Sequence, residues 1–307
     1  MKIFVTGASG QLGYDVLNEA LKRKFRAIGS DISFPKALPV NAPAANCEID
    51  PSFVQLDITD RDAVMSAVSD LKPEVIIHCA AWTAVDDAED EDNWARVYDI
   101  NVKGTQNLAN AAKAVDAKMI YLSTDYVFDG QDERPWQPDD KNYAPLSYYG
   151  KTKLEGELAV FETLEKCFII RTSWVFGLNG KNFIKTMVDI GRKHDEVRVV
   201  NDQIGTPTYT YDLARLLVDM AETDKYGYYH AANEGEYISW YDYTCEIYRQ
   251  AGIHTKVIPV STEEYGLSVA ARPYNSRLDR SKLIRAGFTP LPDWKNAVER
   301  YLREAKL

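Results

Sequence analysis

The glycine-rich turn near the start of the chain constrains the fold more than any other stretch. A short β-rich run, residues 2–6, leads into Gly7, and glycines recur at Gly10 and Gly13 in a GxxGxxG spacing. Apolar residues at helical spacing follow. Such a turn between a strand and a helix allows close approach of a pyrophosphate and offers it the helix N-terminus. The sequence therefore predicts a dinucleotide-binding turn, with an ordinary strand-to-helix turn as the alternative.

A second β-rich run, residues 26–31, ends in Asp31. The number of residues between the glycines and Asp31 is close to the spacing at which an acid in dinucleotide-binding folds binds the adenosine ribose. An acid there favours the free 2′-hydroxyl of NAD over the phosphate of NADP. A solvated Asp31 is the alternative.

Strand-like and helix-like runs alternate through the first half of the chain. Residues 34–51 are predicted to form a loop. Further strands are predicted at residues 53–58, 74–81, 118–122 and 168–174, and helices at 61–71, at 93–114 and from Tyr149 onward. Alternation of this kind indicates an α/β fold, a Rossmann-type doubly wound parallel sheet.

After Trp174 the alternation loosens. We predict helices at residues 182–192, 211–222, 240–251 and 294–304, and strands at 197–201 and 228–232. Residues 1–175 are therefore predicted to form the dinucleotide-binding domain. Residues 176–307 are predicted to form a smaller substrate-binding domain, with some segments returning to the Rossmann sheet.

Several residues at predicted strand ends are candidates for ligand contacts, because open parallel sheets bind ligands at the carboxyl ends of their strands. Asp57 could meet an adenine amino group, although Thr59 or Asp60 there could instead cap the next helix. The small Ala80-Ala81 pair would let a cofactor approach, and Ser123-Thr124 supplies hydroxyls. His78 is predicted to be a packed strand residue.

Tyr149 and Lys153 are four residues apart, so they share one face of a helix. A phenol has an ordinary pKa of about 10, and lowering it by about three units takes about 4 kcal/mol. One ammonium at about 4 Å supplies that at an effective dielectric of ~20. The pair could thus serve proton transfer. With 19 tyrosines in the chain, an exposed polar helix face explains the pair equally well.

Charge and composition exclude several classes of function. The net charge of −10 argues against binding to nucleic acid or to an anionic membrane surface. No apolar run approaches the ~18 residues of a spanning helix, and no signal peptide is evident, so a cytoplasmic location is predicted. The cysteines (Cys47, Cys79, Cys167, Cys245) are scattered and read as reduced thiols, and no zinc pattern appears among the histidines.

Together the glycine turn, Ser123-Thr124 and Tyr149-xxx-Lys153 resemble the extended short-chain dehydrogenase/reductase superfamily. Within it, further motifs resemble the dTDP-4-dehydrorhamnose reductase family, which more often has His where this chain has Trp82. The motifs are residues 80–86 (AAWTAVD), 123–130 (STDYVFDG), 149–153 (YGKTK), 171–174 (RTSW), 202–208 (DQxGxPT) and 275–278 (NSRL).

The resemblance implies reduction of the C4 ketone of a dTDP-linked 4-keto-6-deoxy sugar to dTDP-L-rhamnose, with NADPH or NADH as cofactor. It makes Tyr149 the proton donor. It assigns Lys153 to lowering the pKa of Tyr149 and to binding the nicotinamide ribose, and Thr124 to orienting the carbonyl. Matching positions imply further cofactor contacts at Gly7, Gly10, Gln11, Leu12, Gly13, Asp31, Asp57, Ile58, Ala80, Ala81, Trp82, Thr83, Leu122 and Tyr149.

For the substrate, the resemblance implies that Asp125 and Trp174 contact the sugar, and it makes Arg272 and Arg277 candidates for the diphosphate because an arginine fork matches phosphate. Core packing between the domains is the alternative for Trp174, and surface salt bridges for the arginines. The family is usually described with NADPH, whereas Asp31 favours NADH. A monomer or a homodimer is expected. Some members form magnesium-linked dimers through acidic residues, but no such set was located here, so no metal is predicted.

Two other functions remain open. One is a sister sugar-nucleotide epimerase or 4,6-dehydratase that retains NAD. Such dehydratases carry Asp-Glu after the Thr, whereas Tyr126 follows Thr124-Asp125 here. The other is a non-catalytic regulatory subunit resembling that of methionine adenosyltransferase.

Overall fold

Within residues 1–33 and 52–307, the part of the chain that this computed structural model describes, strands and helices alternate through the first half. The strands are β1 (Lys2–Thr6), β2 (Arg26–Asp31), β3 (Ser52–Gln55), β4 (Val75–His78), β5 (Lys118–Thr124), β6 (Cys167–Thr172), β7 (Val175–Phe176), β8 (Glu196–Val200), β9 (Ile204–Gly205), β10 (Thr208–Tyr209), β11 (Gly227–His230), β12 (Ile238–Ser239) and β13 (Lys256–Val260).

The α-helices are α1 (Gln11–Lys22), α2 (Arg61–Leu71), α3 (Glu91–Tyr98), α4 (Thr105–Ala114), α5 (Tyr148–Thr163), α6 (Phe183–Gly191), α7 (Thr210–Ala221), α8 (Trp240–Ala251), α9 (Thr262–Tyr265), α10 (Ser281–Arg285) and α11 (Trp294–Ala305). Most of the α-helices bury an apolar face, although α9 buries none of its residues.

A parallel sheet in the order β11-β6-β5-β4-β1-β2-β3 forms the centre of the molecule. Phe4 of β1 pairs with Ile28 of β2 on one side and Ile76 of β4 on the other. All three are buried, as expected for strands covered on both faces. The order reverses at β1, which opens a crevice between β1 and β4 at their carboxyl ends. The predicted doubly wound parallel sheet is confirmed.

Two apolar layers cover the sheet. On one face, Val16 of α1 and Leu217 of α7 pack with Ile3 and Ile77. On the other, Val64 of α2, Leu108 of α4 and Val160 of α5 pack in a second layer with the opposite side chains of the same strands. The layers fix the strand ends, and therefore the crevice, in place.

The second half of the chain builds its own apolar cluster, which includes Phe176, Tyr243, Trp294 and Tyr301. It also contributes β11, which pairs with β6 in the main sheet, Gly227 opposite Phe168. The division of the chain into two domains at residue 175 stays a prediction.

Several element boundaries differ from expectation. Strand β3 ends at Gln55 rather than residue 58, because its partner β2 ends at Asp31, opposite Gln55. Strand β4 ends at His78 rather than residue 81. The predicted helix over residues 93–114 is divided by a π-helix, Asp99–Gly104, between α3 and α4. The loop predicted for residues 34–51 lies outside the described residues.

Asp15 of α1 is a buried acid beneath α7, where its carboxylate accepts a hydrogen bond of 2.5 Å from the Thr210 hydroxyl. Burial raises its pKa to about 7. Because the unfolded value is near ~3.9, the stability linked to this group is complete below pH ~4 and is lost as the pH rises through about 7.

We therefore expect Asp15→Asn to be more stable than the wild type at pH ~8 by about 4 kcal/mol, and to lack this advantage at pH ~4. Urea unfolding across that range measures the difference. Parallel curves for the two proteins would contradict the expectation.

Candidate active site

A cavity of about 960 Å³ opens at the carboxyl ends of β1, β4 and β5. It brings together most of the predicted site residues. Those lining it are Gly7, Gly10, Gln11, Leu12, Gly13, Asp31, Asp57, Ile58, Ala80, Ala81, Thr83, Leu122, Thr124, Asp125, Tyr149, Lys153 and Trp174.

The glycine turn forms one wall of the cavity. Gly7 has a φ of 69°, which a glycine adopts readily, and a Cβ there would lie 2.6 Å from the Ala80 nitrogen. A Cβ on Gly13 would lie 2.2 Å from the Gly7 oxygen. Gly10 precedes α1 and has no side chain with which to cap it, so the N-cap residue leaves the first amides of this helix available to a ligand. This backbone cradle fits an anionic pyrophosphate.

Asp31 lies at the end of β2, at the cavity edge, and is not simply solvated. One carboxylate oxygen accepts the Ser9 N–H at 3.0 Å and the other accepts the Ile32 N–H at 2.8 Å. These bonds hold the acid beside the glycine turn.

Asp57 is exposed and accepts hydrogen bonds from both the amide (2.9 Å) and the hydroxyl (2.7 Å) of Thr59. Asp60, one of the two capping candidates, does cap α2: its carboxylate accepts the Ala63 N–H at 3.0 Å. Asp57 itself lines the cavity beside Ile58.

Tyr149 and Lys153 lie in the first turns of α5, whose start is capped by Ser147 through the Gly150 N–H. Tyr149 is half-buried and Lys153 is buried. The Lys153 ammonium donates to the Leu122 carbonyl at 2.6 Å. It also lies 4.2 Å from the centre of the Tyr121 ring. The exposed-face alternative for this pair therefore fails.

The expected lowering of the Tyr149 pKa is wrong for this structure. Burial and the nearby Asp125 raise it above its ordinary value, against a hydrogen bond with Thr124. Burial also lowers the pKa of Lys153 to about 7, although Glu157 opposes that change. Lys153 is therefore only partly charged near neutrality, and its ammonium is engaged by Leu122. The phenol stays protonated, which is the form that a proton donor requires.

Thr124 ends β5, and Asp125 begins a 3₁₀ turn, Asp125–Val127. The Thr124 hydroxyl donates to one Asp125 oxygen at 3.0 Å and accepts the Tyr126 N–H at 3.2 Å. The Ser276 hydroxyl donates to the other Asp125 oxygen. Burial raises the pKa of Asp125 to about 6.

Trp174 lines the cavity, and its contact with the sugar stays a prediction. Its ring stacks on Trp240 with centroids 3.7 Å apart, and both residues line the cavity. It also packs against the apolar cluster of the second half. Its φ of 49° is unusual for a bulky residue.

Trp82, Arg272 and Arg277 do not line the cavity. The Trp82 amide donates to the Asn101 side chain at 2.9 Å. Arg272 forms a two-pronged ion pair with Asp86, at 3.0 and 2.6 Å, as the salt-bridge alternative expected. The diphosphate roles of Arg272 and Arg277 stay predictions.

Three residues important to the geometry were missed. Asn101 lies in the π-helix and links Trp82 to Thr152 of α5. A buried amide inside an apolar helix pattern was a signal that could have identified it. Trp240 and Ser276 reach the site from distant parts of the chain and gave no local signal, although Ser276 lies in the recognised NSRL motif.

Two further observations concern membrane spans and metal sites. No helix in the described ranges has the length and apolar character to cross a membrane. Within residues 1–33 and 52–307, no group of three or more His, Cys, Asp or Glu side chains is arranged to hold a metal ion.

Comparisons with known proteins agree with this geometry. The RmlD substrate binding domain family matches residues 1–307. A dTDP-4-dehydrorhamnose reductase of Aggregatibacter actinomycetemcomitans is 38% identical, over 97% of each chain. The crystal structure of a dTDP-4-dehydrorhamnose reductase from Clostridium acetobutylicum is 39% identical, with a TM-score of 0.89 and complete coverage of both chains. The enzyme of that name from Bacillus anthracis, solved with NADP, is 38% identical, with a TM-score of 0.86 and 99% coverage of each chain.

Proposed function

The chain belongs to the RmlD substrate binding domain family, and we propose that it reduces the C4 ketone of dTDP-4-dehydro-L-rhamnose to give dTDP-L-rhamnose, using NADPH or NADH. One observation carries the proposal. Tyr149, Thr124 and the glycine turn all open on a single cavity, so a proton donor, a carbonyl-orienting hydroxyl and a dinucleotide cradle face the same space.

The chain's own residues divide the work of reduction. Tyr149 gives its phenolic proton to the ketone oxygen as that oxygen becomes an alkoxide, and Thr124 hydrogen-bonds the same oxygen. The nicotinamide, when bound, supplies the hydride. Lys153 holds the nicotinamide ribose, while Asp125 and Trp174 contact the sugar.

The remaining cavity residues hold the cofactor. The cradle from Gly7 to Gly13, including Gln11 and Leu12, binds the pyrophosphate. Asp31 binds the adenosine ribose, and Asp57 and Ile58 line the adenine. The nicotinamide side is bordered by Ala80, Ala81, Thr83 and Leu122. For Trp82, which lies outside the cavity lining, this contact stays a prediction.

The rival functions have less support. Tyr126 stands where a dehydratase carries the Glu of its elimination step. Relatives that match nearly the whole chain are named as reductases. A regulatory subunit would need neither the Tyr149 phenol nor the buried Lys153 ammonium.

The test follows absorbance of NADPH and NADH when the purified protein meets dTDP-4-keto-6-deoxyglucose and a 3,5-epimerase. We expect oxidation that depends on the epimerase. Oxidation without the epimerase would change the sugar assignment. No oxidation by a protein that demonstrably binds either cofactor would refute the proposal and favour a sister enzyme or the regulatory subunit.

Asp31 is expected to set the cofactor preference. Its carboxylate would face the extra phosphate of NADPH, and like charges at ~4 Å repel by about 4 kcal/mol at a dielectric of ~20 and by less in water. We expect Asp31→Asn to raise kcat/KM for NADPH relative to NADH by at least about tenfold.

The matched control for this change is Asp57→Asn, which removes an exposed acid of the same cavity on the adenine side. It should leave the NADPH/NADH ratio nearly unchanged. An unchanged ratio in Asp31→Asn would show that this acid does not discriminate between the cofactors.

We also propose a cytoplasmic enzyme, acting as a monomer or homodimer, with no nucleic-acid or membrane partner. The free thiols of Cys79, Cys167 and Cys245 support a reducing compartment. Cell fractionation and light scattering test the location and the oligomeric state.

A further inference from the structure

In the NSRL segment, Asn275–Leu278, only Arg277 has a predicted role in substrate binding, yet the segment around Ser276 is firmly anchored. Asn275 is fully buried, and its side chain donates to the carbonyls of Arg134 (2.8 Å) and Gln131 (3.2 Å). The Ser276 amide donates to the Ile204 carbonyl at 2.7 Å. The backbone on either side of the Ser276 hydroxyl is thus held in place.

That hydroxyl donates to Asp125, which lies 151 positions earlier in the chain. The second oxygen of Asp125 accepts the Thr124 hydroxyl at 3.0 Å. Ser276 and Asp125 are 3% and 2% exposed, so water does not compete freely for these bonds. A short relay therefore runs from Ser276 through Asp125 to Thr124.

Counting hydrogens in this relay leads to a constraint. A threonine hydroxyl carries one hydrogen. While Asp125 is ionised, the Thr124 hydroxyl donates its hydrogen to the Asp125 carboxylate and has no hydrogen left to donate to a ketone. If Asp125 is neutral, its own O–H can donate to the Thr124 oxygen, and the Thr124 hydrogen is free to point into the cavity.

Resting on the proposed reduction, we propose that Ser276 and Asp125 are positioning residues that act through Thr124, and that the neutral form of Asp125 is the reactive one. Ser276 stabilises the ionised carboxylate of Asp125. It thereby lowers the fraction of protein molecules in which Asp125 is neutral and Thr124 is free to donate.

The surroundings of Asp125 agree with a titration in an accessible range. Burial raises its pKa to about 6, while the hydrogen bonds from Ser276 and Thr124 act to lower it. The titratable groups that interact with it are the phenols of Tyr149 on α5 and Tyr126 on its own turn. The Arg272 cation acts on Tyr126 and is held by Asp86.

The neutral acid predominates below its pKa, so kcat/KM should fall as the pH rises through about 6. Ser276→Ala removes a donor that stabilises the carboxylate. It therefore raises the pKa of Asp125 and extends the reactive form to higher pH.

The test compares wild type, Ser276→Ala, Asp125→Asn and a control, Ser281→Ala, whose hydroxyl bonds Asp279 away from the cavity. Two measurements are made from about pH 5 to about pH 8: the titration of Asp125 by ¹³C NMR, and kcat/KM for the ketosugar. Lys153, with a pKa of about 7, is unchanged in every variant, so differences report on the relay.

We expect Ser276→Ala to shift both midpoints upward by about one pH unit. In both the wild type and Ser276→Ala, kcat/KM on the low-pH plateau should exceed kcat/KM on the high-pH plateau by about tenfold. In Asp125→Asn, the fall of kcat/KM that Asp125 causes should disappear from the pH profile. The pH profile of Ser281→Ala should coincide with that of the wild type. A merely structural role for Ser276 would lower activity without moving either midpoint.

Two results would overturn the inference alone: an Asp125 titration that Ser276→Ala does not move, or kcat/KM profiles of an active wild type and Ser276→Ala that superimpose. Absence of wild-type turnover would instead refute the proposed function, and this inference with it.

Discussion

Tyr149→Phe is expected to lower kcat/KM by about 10³-fold, because it removes the proton that neutralises the developing alkoxide. The ring remains, so its edge-on contact with Tyr126, with centroids 5.7 Å apart, is kept. Cofactor dissociation constants should change by less than about twofold. Steady-state kinetics with fluorescence titration of NADPH separates the two effects.

The neighbouring tyrosine provides a matched control. Tyr148 begins α5, and its hydroxyl lies 3.4 Å from the Trp94 carbonyl, outside the cavity. Tyr148→Phe therefore makes the same chemical change one residue away and should retain nearly full activity. Comparable losses in the two variants, or an active Tyr149→Phe, would show that Tyr149 is not the proton donor.

Arg171→Met is expected to destabilise the protein by about 3–5 kcal/mol. Arg171 and Glu157 are both fully buried and form a two-pronged ion pair at 2.9 and 2.8 Å. Arg171 also donates to the Pro138 carbonyl and the Tyr143 hydroxyl. The methionine would leave the Glu157 carboxylate buried without a partner. Urea unfolding measures the loss.

The double variant Glu157→Leu/Arg171→Met removes both charges and should recover at least about 2 kcal/mol of that loss. Lys193→Met, which breaks a pair with Asp189 in which both side chains are exposed, should have no measurable effect. A double variant less stable than Arg171→Met would mean that the pair contributes more than mutual charge compensation.

Local patterns predicted much of this molecule, and contacts between distant residues explain the misses. The glycine turn and the Tyr149–Lys153 pair are short-range features, so spacing alone placed them on the correct elements. Trp240 and Ser276 reach the cavity only through the tertiary fold. No local pattern marked Trp240, and the NSRL motif around Ser276 did not indicate that its hydroxyl bonds Asp125 at the cavity.

The Tyr149 pKa shows a different limit. The sequence supplied a cation one helical turn away, and Coulomb attraction alone would have lowered the pKa of the phenol. The structure adds desolvation, which acts on Tyr149 and Lys153 in opposite directions and weakens the cation itself. Burial of both partners, which depends on the whole fold, decides the sign.

The pairing of β11 with β6 also has a consequence during synthesis. Until residue 230 has left the ribosome, β6 is the outer strand of the nascent sheet, and its residues 167–170 are apolar. An apolar strand with unsatisfied backbone groups is a template for pairing with other chains. The interval between translation of β6 and of β11 is therefore when a nascent chain is most exposed to aggregation on crowded polysomes.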